Sequence, residues 1–179
     1  MDDSDWKYVE QMDTQALQYL MSAYGQDIWN LAFLLTKRHH LADDITQDVF
    51  IKVYQSIHLF RGASSMKTWL LSITRNIAIN YMRTAFMRKV TLTSWISSQG
   101  VGVSAEKEVL EQSVTEEIWR VVLKLPLKLR EVLILHAKYE LSMKEMASVL
   151  GISEGTVKSR LARARKKVSA YWKEGAAYE

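Results

Sequence analysis

The chain contains no cysteine, which removes disulfides, thiolate zinc sites and cysteine nucleophiles from consideration. It has one proline and seven glycines in 179 residues, few breakers for a chain of this length, and no segment sustains the two-residue alternation of a strand. An all-α fold is expected. Long apolar runs are missing as well: the longest, 28–35, is too short to span a bilayer and contains Asn30. The acidic N-terminus MDDSDWKYVE lacks the apolar core of a signal segment. Together these absences lead to the expectation of a soluble, cytoplasmic protein with no direct membrane insertion. Acidic residues are absent from one stretch in particular. Residues 156–168 carry Lys158, Arg160, Arg163, Arg165, Lys166 and Lys167 with no Asp or Glu, although the whole chain has a net charge of only +4. Positive charge concentrated in this way is the footprint of a nucleic-acid contact.

What is present is ordinary for a globular protein, with 48% apolar and 25% charged residues, and the length allows one domain or two small ones. There is no internal repeat or low-complexity tract. The most restrictive stretch is 142–168, SMKEMASVLGISEGTVKSRLARARKKV. Met146, Ala147 and Leu150 keep a helical period, Gly151 interrupts it, and Ser153 supplies an N-cap for a second helix. Gly151 suits the positive φ of a sharp turn, and Ala147 is small where two crossing helices meet. At 100° per residue, Val157, Leu161, Ala164 and Val168 fall on one side of the second helix. Lys158, Ser159, Ala162, Arg163 and Lys166 fall on the other. This is a helix-turn-helix with a basic outer face, suited to a major groove; the bland alternative is a solvated basic helix on a bundle.

Along the chain, Leu17, Leu20, Met21, Tyr24, Ile28, Leu31, Leu34 and Leu35 mark an amphipathic run expected to break or bend near Gly25 and to end in the polar patch 37–40. Further helices are expected over about 41–57 and 66–84, joined by the loop HLFRGASS. The composition then shifts: 91–104 is rich in Ser, Thr, Val and Gly and reads as an interdomain linker, with Trp95 and Ile96 docking on something. Helical pattern resumes at Ala105, with Ser113 and Glu116 spaced as a capping box, and continues to Lys124. Pro126 opens a helix over 127–139. The domain boundaries that result are 1–86, 87–112 and 113–179.

In the helix over 41–57, Ile45, Val49, Phe50, Val53 and Ile57 point one way. Asp44, Gln47, Asp48, Ile51 and Gln55 point the other, an acidic face with one apolar residue at its centre. This is either a plain solvated face or a protein-docking surface. The following loop and helix bring Phe60, Arg61, Gly62, Ser64, Lys67, Trp69, Arg75, Asn76, Asn80 and Arg83 together. Trp69, Ile73 and Ile77 are expected to pack inward. Aromatic, amide and basic groups around a glycine-containing loop are what binding a melted DNA strand requires, although Phe60 and Trp69 could equally be core.

The ordered set Asp43-Asp44-Ile45-Thr46-Gln47-Asp48-Val49-Phe50, Phe60-Arg61-Gly62, Lys67-Thr68-Trp69-Leu70, Arg75-Asn76, Gly155-Thr156-Val157-Lys158-Ser159-Arg160-Leu161 and Arg163-Ala164-Arg165 closely resembles bacterial sigma factors of the extracytoplasmic function group. The match covers nearly the whole chain. The resemblance implies two helical domains on a flexible linker and a protein that directs core RNA polymerase to promoters, with a stress or envelope-response regulon and no catalytic residue or cofactor of its own. It implies that Asp44, Gln47, Asp48, Ile51 and Gln55 dock on the β′ clamp coiled coil, with the β flap a second polymerase contact. Phe60, Arg61, Gly62, Ser64, Lys67, Arg75, Asn76, Asn80 and Arg83 would open and read the single-stranded −10 element. Ser153, Thr156, Lys158, Ser159, Arg160, Ala162, Arg163 and Lys166 would face the −35 duplex, with Arg160 and Arg165 on phosphates. The linker would thread the polymerase, and an anti-sigma factor would cover the docking surfaces. Ala63 and Ala162 depart from the residues common at these positions, which bears on promoter sequence.

Two other classes explain part of the chain. A helix-turn-helix repressor or activator accounts for 142–168 but leaves the acidic helix, the FRGASS loop and the linker without purpose. A metal-dependent enzyme could use His39 with Asp43 and His40 with Asp44, each pair one helical turn apart. Adjacent histidines diverge, however, and Asp43 and Asp44 near a helix N-terminus complement its dipole.

Overall fold

Asp13 starts the first long helix: its Oδ1 accepts the Ala16 amide at 2.7 Å, satisfying one of the donors every helix N-terminus leaves open. Helix α1 then runs unbroken over Thr14–Thr36 and stops at Lys37, which takes a left-handed φ of 62°. The structure, a computed structural model, describes residues 6–95 and 114–175, with side chains over 6–85 and 118–171. After α1 come α2 (His39–Ser56), α3 (Met66–Trp95), α4 (Val114–Lys124), α5 (Leu127–Ala137), α6 (Met143–Leu150) and α7 (Glu154–Gly175). Short 3-10 turns lie at Trp6–Tyr8 and Ile57–Leu59. No strand occurs among the described residues, and the fold is all-α, in two helical domains.

The expected bend at Gly25 does not occur. Apolar residues on both sides of it, Leu20 and Ile28, are completely buried, and their packing outweighs the roughly 1 kcal/mol that one glycine costs a helix interior. The third helix is also longer than expected, passing Thr84 and continuing to Trp95. Its extension, FMRKVTLTSW, has no Gly or Pro to stop it. The sequence boundary rested on composition, and composition alone does not terminate a helix. The docking expected of Trp95 and Ile96, the rest of the expected linker and the Ser113–Glu116 pairing lie outside the residues whose side chains are described.

Helices α1, α2 and α3 pack on one another through Leu31, Leu35, Ile45, Val49, Val53, Leu70 and Leu71, all buried. On α3 the buried stripe is Met66, Leu70, Leu71, Thr74 and Ala78, while Trp69, Ile73 and Ile77, expected inward, are half-buried at its edge. The reason is that α3 is covered on two sides, by α1 and α2 and by α6. In the second domain α7 lies across α5 and α6 through Val157, Leu161 and Ala164. The buried residues of both domains form one continuous cluster.

The helix-turn-helix follows from local chemistry. Ser142 and Glu145 form a reciprocal capping box at the start of α6. Gly151 ends it at φ 64°, and the Ile152 amide bonds back to the Ala147 carbonyl at 3.1 Å. Gly25 and Gly151 both have open space where a Cβ would stand, so only backbone conformation separates them. Gly25→Ala is expected to raise the unfolding free energy by about 1 kcal/mol and Gly151→Ala to lower it by a similar amount, measured by urea denaturation. Two shifts of the same sign would contradict this assignment.

Candidate nucleic-acid interface

Ser153 opens α7 by accepting the Thr156 amide at 3.2 Å, with its hydroxyl also 2.9 Å from that of Thr156. Val157, Leu161 and Ala164 turn into the core, so Lys158, Ser159, Ala162, Arg163 and Lys166 stand exposed on the opposite side. Arg163 is held along the helix, donating from Nε to the Ser159 carbonyl at 3.2 Å and from Nη2 to the Ser159 hydroxyl at 3.3 Å. Arg165 lies 2.8 Å from Nε2 of His136. Arg160 is different from the exposed cations. Its Nη1 pairs at 3.4 Å with Oε1 of Glu131, a carboxylate whose side chain is 3% exposed. The basic face therefore loses Arg160, because an almost buried carboxylate requires a cation partner.

The acidic face of α2 is more divided than periodicity suggested. Asp44, Gln47, Ile51 and Gln55 are exposed, Ile51 at 49%. Asp48 is half-buried and accepts a 2.7 Å bond from the Tyr81 hydroxyl on α3, which pushes that phenol up to about 12. Asp48 thus braces α2 against α3. Between α1 and α2 runs an apolar groove of about 670 Å³, lined among others by Leu17, Met21, Trp29, Gln47, Phe50, Ile51 and Tyr54. Sequence reasoning found Gln47 and Ile51 but missed the α1 wall. Met21, 48% exposed at the edge of the α1 stripe, was the available signal. Asp43, considered above as a metal ligand, accepts a 2.7 Å bond from Nε1 of Trp29, and the His39 ring packs on Trp29 and Phe33.

The loop 60–65 turns at Gly62, φ 68°. Arg61 and Gly62 are exposed, and Ser64 is half-buried with its hydroxyl 3.3 Å from the Ser65 carbonyl. Phe60 is core, 3% exposed, its ring 5.3 Å from that of Trp69, so the loop's own aromatic is withdrawn from solvent. Asn76, Asn80 and Arg83 are exposed along α3. Lys67 pairs with Asp27 at 2.9 Å and lies 5.4 Å from the Tyr139 ring centre.

Arg75 does not face solvent freely. Its Nε and Nη2 each donate at 3.2 Å to Oε2 of Glu131, so one carboxylate of the second domain holds Arg75 of the first and Arg160 of its own. Three further bonds cross the same seam. Arg130 Nη2 donates to the Leu35 carbonyl at 2.7 Å, the Tyr139 hydroxyl donates to the Asp27 carbonyl at 2.7 Å, and the Thr68 hydroxyl donates to Glu145 Oε1 at 3.1 Å. Burial pushes the Tyr139 phenol up, and the Asp27 charge adds to the shift. The sequence reading singled out none of Arg130, Glu131, Tyr139 or Glu145, since each looks like an ordinary helix-surface residue until its partner is known.

Comparison with known proteins places these surfaces in context. The family described as sigma-70 region 2 matches residues 20–85, and that described as sigma-70, region 4 matches residues 115–168. The ECF RNA polymerase sigma factor SigW of Bacillus subtilis is 32% identical over 171 residues, covering 89% of this chain and 90% of its own. The RNA polymerase sigma factor YlaC of the same organism is 35% identical, with 84% and 88% covered. The ECF RNA polymerase sigma-E factor of Haemophilus influenzae is 30% identical, with 89% of each covered. Among solved structures, the sigma factor RpoE of Bartonella quintana in complex with the anti-sigma factor NepR aligns over 89% of this chain and 98% of that one, at 25% identity and a TM-score of 0.71.

Glu145 belongs both to the capping box and to the seam, and its titration offers a test. The Ser142 hydroxyl and amide hold its carboxyl below the ordinary 4.5, with a smaller contribution from Thr68, against the opposing effect of burial. A carboxyl depressed on folding contributes stability above its unfolded pKa and loses it as pH falls through the folded value. The intact chain is therefore expected to be more stable than Glu145→Gln at pH 7, with the difference closing as the pH falls below the ordinary carboxyl value and through the lower folded one. Equal stability at pH 7, measured by circular dichroism, would show that these bonds contribute nothing.

Proposed function

Because the chain belongs to the extracytoplasmic function group of sigma-70 RNA polymerase sigma factors, we propose that its surfaces divide promoter recognition between the two domains. As a sigma factor it binds core polymerase and directs initiation; the regulon is a stress or envelope response, and the chemistry of RNA synthesis stays with the polymerase, in the cytoplasm. The groove between α1 and α2, with Gln47, Ile51 and neighbouring Asp44 and Gln55, docks on the β′ clamp coiled coil, and the second domain contacts the β flap. The loop 60–65, with Asn76, Asn80 and Arg83, captures the melted −10 strand. The outer face of α7, with Lys158, Ser159, Ala162, Arg163 and Lys166, enters the major groove at −35. One observation carries the reading: a helix-turn-helix whose second helix buries Val157, Leu161 and Ala164 leaves Lys158, Arg163 and Lys166 exposed on the opposite face.

An anti-sigma factor is the second partner. It covers the apolar groove, whose exposed Met21, Ile51 and Tyr54 need a protein surface when polymerase is absent. The seam describes the resting chain: Arg75 cannot hold Glu131 and a DNA phosphate with the same donors, so engagement of polymerase and promoter separates the domains. The absence of native cysteine makes this directly measurable. With single cysteines placed at exposed Ala23 and Ala170 and labelled as a fluorescence pair, energy transfer is expected to fall on adding core polymerase. Unchanged transfer in an active holoenzyme would refute the opening.

The function itself is tested by transcription with purified core polymerase, with and without this chain, on genomic fragments. Discrete starts that depend on the chain and share upstream motifs at fixed spacing are expected; no polymerase binding at all would return the protein to the repressor class. On a promoter found this way, Arg163→Ala is expected to lose about 5- to 150-fold of discrimination at particular −35 base pairs. A uniform loss across all sequences would assign Arg163 to phosphate instead.

A further inference from the structure

The loop assigned to the −10 strand lacks one component that strand capture needs. Bases drawn from the stack are held on aromatic faces while cations track the backbone. Phe60 is buried and Trp69 is half-buried against it, so residues 60–65 offer Arg61 as a cation and no open ring. An open ring stands beside the loop, supplied from the other end of the domain. Trp6 is 1% exposed, packed in the core with its ring 6.0 Å from that of Tyr19, and it fixes the turn Trp6–Tyr8 against the Ile57–Leu59 turn that leads into the loop. The turn is closed by a bond from the Val9 amide to the Trp6 carbonyl at 3.2 Å. The stem of Lys7 lies over Gly62, its Cβ and Cδ each 3.5 Å from where a Cβ on that glycine would stand. Tyr8 is 76% exposed, the most open large apolar side chain among the described residues, and the Lys7 ammonium sits 4.8 Å from its ring centre.

From this arrangement we propose that the Trp6–Tyr8 turn completes the single-strand site, with Tyr8 as the platform for one unstacked base and Lys7 as the contact to the adjoining phosphate. The inference rests on the reading of residues 60–65 as the strand-capturing loop. The occupant follows from the chemistry of the turn: an open phenol ring and a cation within 5 Å of one another match the π-face and the negative charge that every nucleotide of a single strand carries. Trp6 is the positioning residue, since its burial makes the turn a fixed wall. Gly62 fits the same account, because its left-handed φ of 68° turns the loop where the Lys7 stem packs against it.

The test uses holoenzyme assembled from core polymerase and the full chain. Its probe is a forked duplex built on a mapped promoter, with the strand downstream from −10 left single. Tyr8→Ala is expected to weaken binding of the fork by about 5- to 150-fold and to leave a duplex carrying the −35 element alone unaffected, with Tyr8→Trp restoring fork binding. Lys7→Ala is expected to reduce the slope of log affinity against log salt by about 0.7. Arg61→Ala is the reference for the loop itself. If Arg61→Ala weakens the fork and Tyr8→Ala does not, the turn is structural cover and the proposal falls while the loop assignment stands. If neither has an effect, both fall. If Tyr8→Ala instead weakens binding of core polymerase, Tyr8 is a protein contact and the proposal is overturned.

Discussion

The last carbonyls of a helix have no partner within it, and the way this chain satisfies them holds its two domains together. Arg130, 5% exposed, points its guanidinium at three such groups. Nη1 donates to the carbonyls of Leu123 and Leu125, where α4 ends, and Nη2 to that of Leu35, in the last turn of α1. A buried cation is costly unless its donors are occupied, and each orphaned buried carbonyl costs about 1–3 kcal/mol. One side chain answers both demands through Nη1 and Nη2, while its Nε is buried without a hydrogen-bond partner. Burial lowers the guanidinium's pKa and the neighbouring Glu131 opposes that shift; at the end of α1 the Lys37 pKa is lowered by burial first and by the Arg130 charge second. Removing Arg130 would leave helix ends in both domains unsatisfied.

Glu131 extends the same logic to the surfaces. A carboxylate 3% exposed needs cations, and it draws Arg160 from its own domain and Arg75 from the other. The basic faces of the two domains are therefore shaped by what the interior claims as well as by helical period. Asp48 is claimed likewise by Tyr81. The groups left exposed, Lys158, Ser159, Arg163 and Lys166 on α7 and Asn76, Asn80 and Arg83 on α3, are those with no such buried partner. In the DNA-bound sigma factor proposed here, Arg75 is the residue on which the resting and working arrangements compete.

How much was legible varies by residue. The helix-turn-helix was, because its signals are local: Ser153 within three residues of the amide it caps, Gly151 in the one backbone region that favours it, and Val157, Leu161 and Ala164 one turn apart. The ends of α1 and α3 were less so. Gly25 suggested a break that tertiary packing overrode, and the Ser- and Thr-rich composition after Phe86 suggested an end where no residue forbids a helix. Phe60 illustrates ambiguity of another kind: an aromatic beside a glycine loop can stack on a base or on Trp69, and only coordinates distinguish the two. The α1 wall of the groove was missed because a groove needs two helices and periodicity reads one at a time.

The sequence by itself determined the all-α class, the helix-turn-helix, its basic face and the family, since each depends on interactions within a few residues or on the order of motifs along one chain. The tertiary structure alone decided which charges remain available, and the physical reason is desolvation. Whether Arg160, Arg75, Asp48 or Arg130 meets water or a buried partner depends on residues 29, 56, 33 and 95 positions away. No local pattern encodes such a pairing. It exists only once the helices that carry the two partners have packed, and the cost of leaving a buried charge or carbonyl unmatched then fixes it.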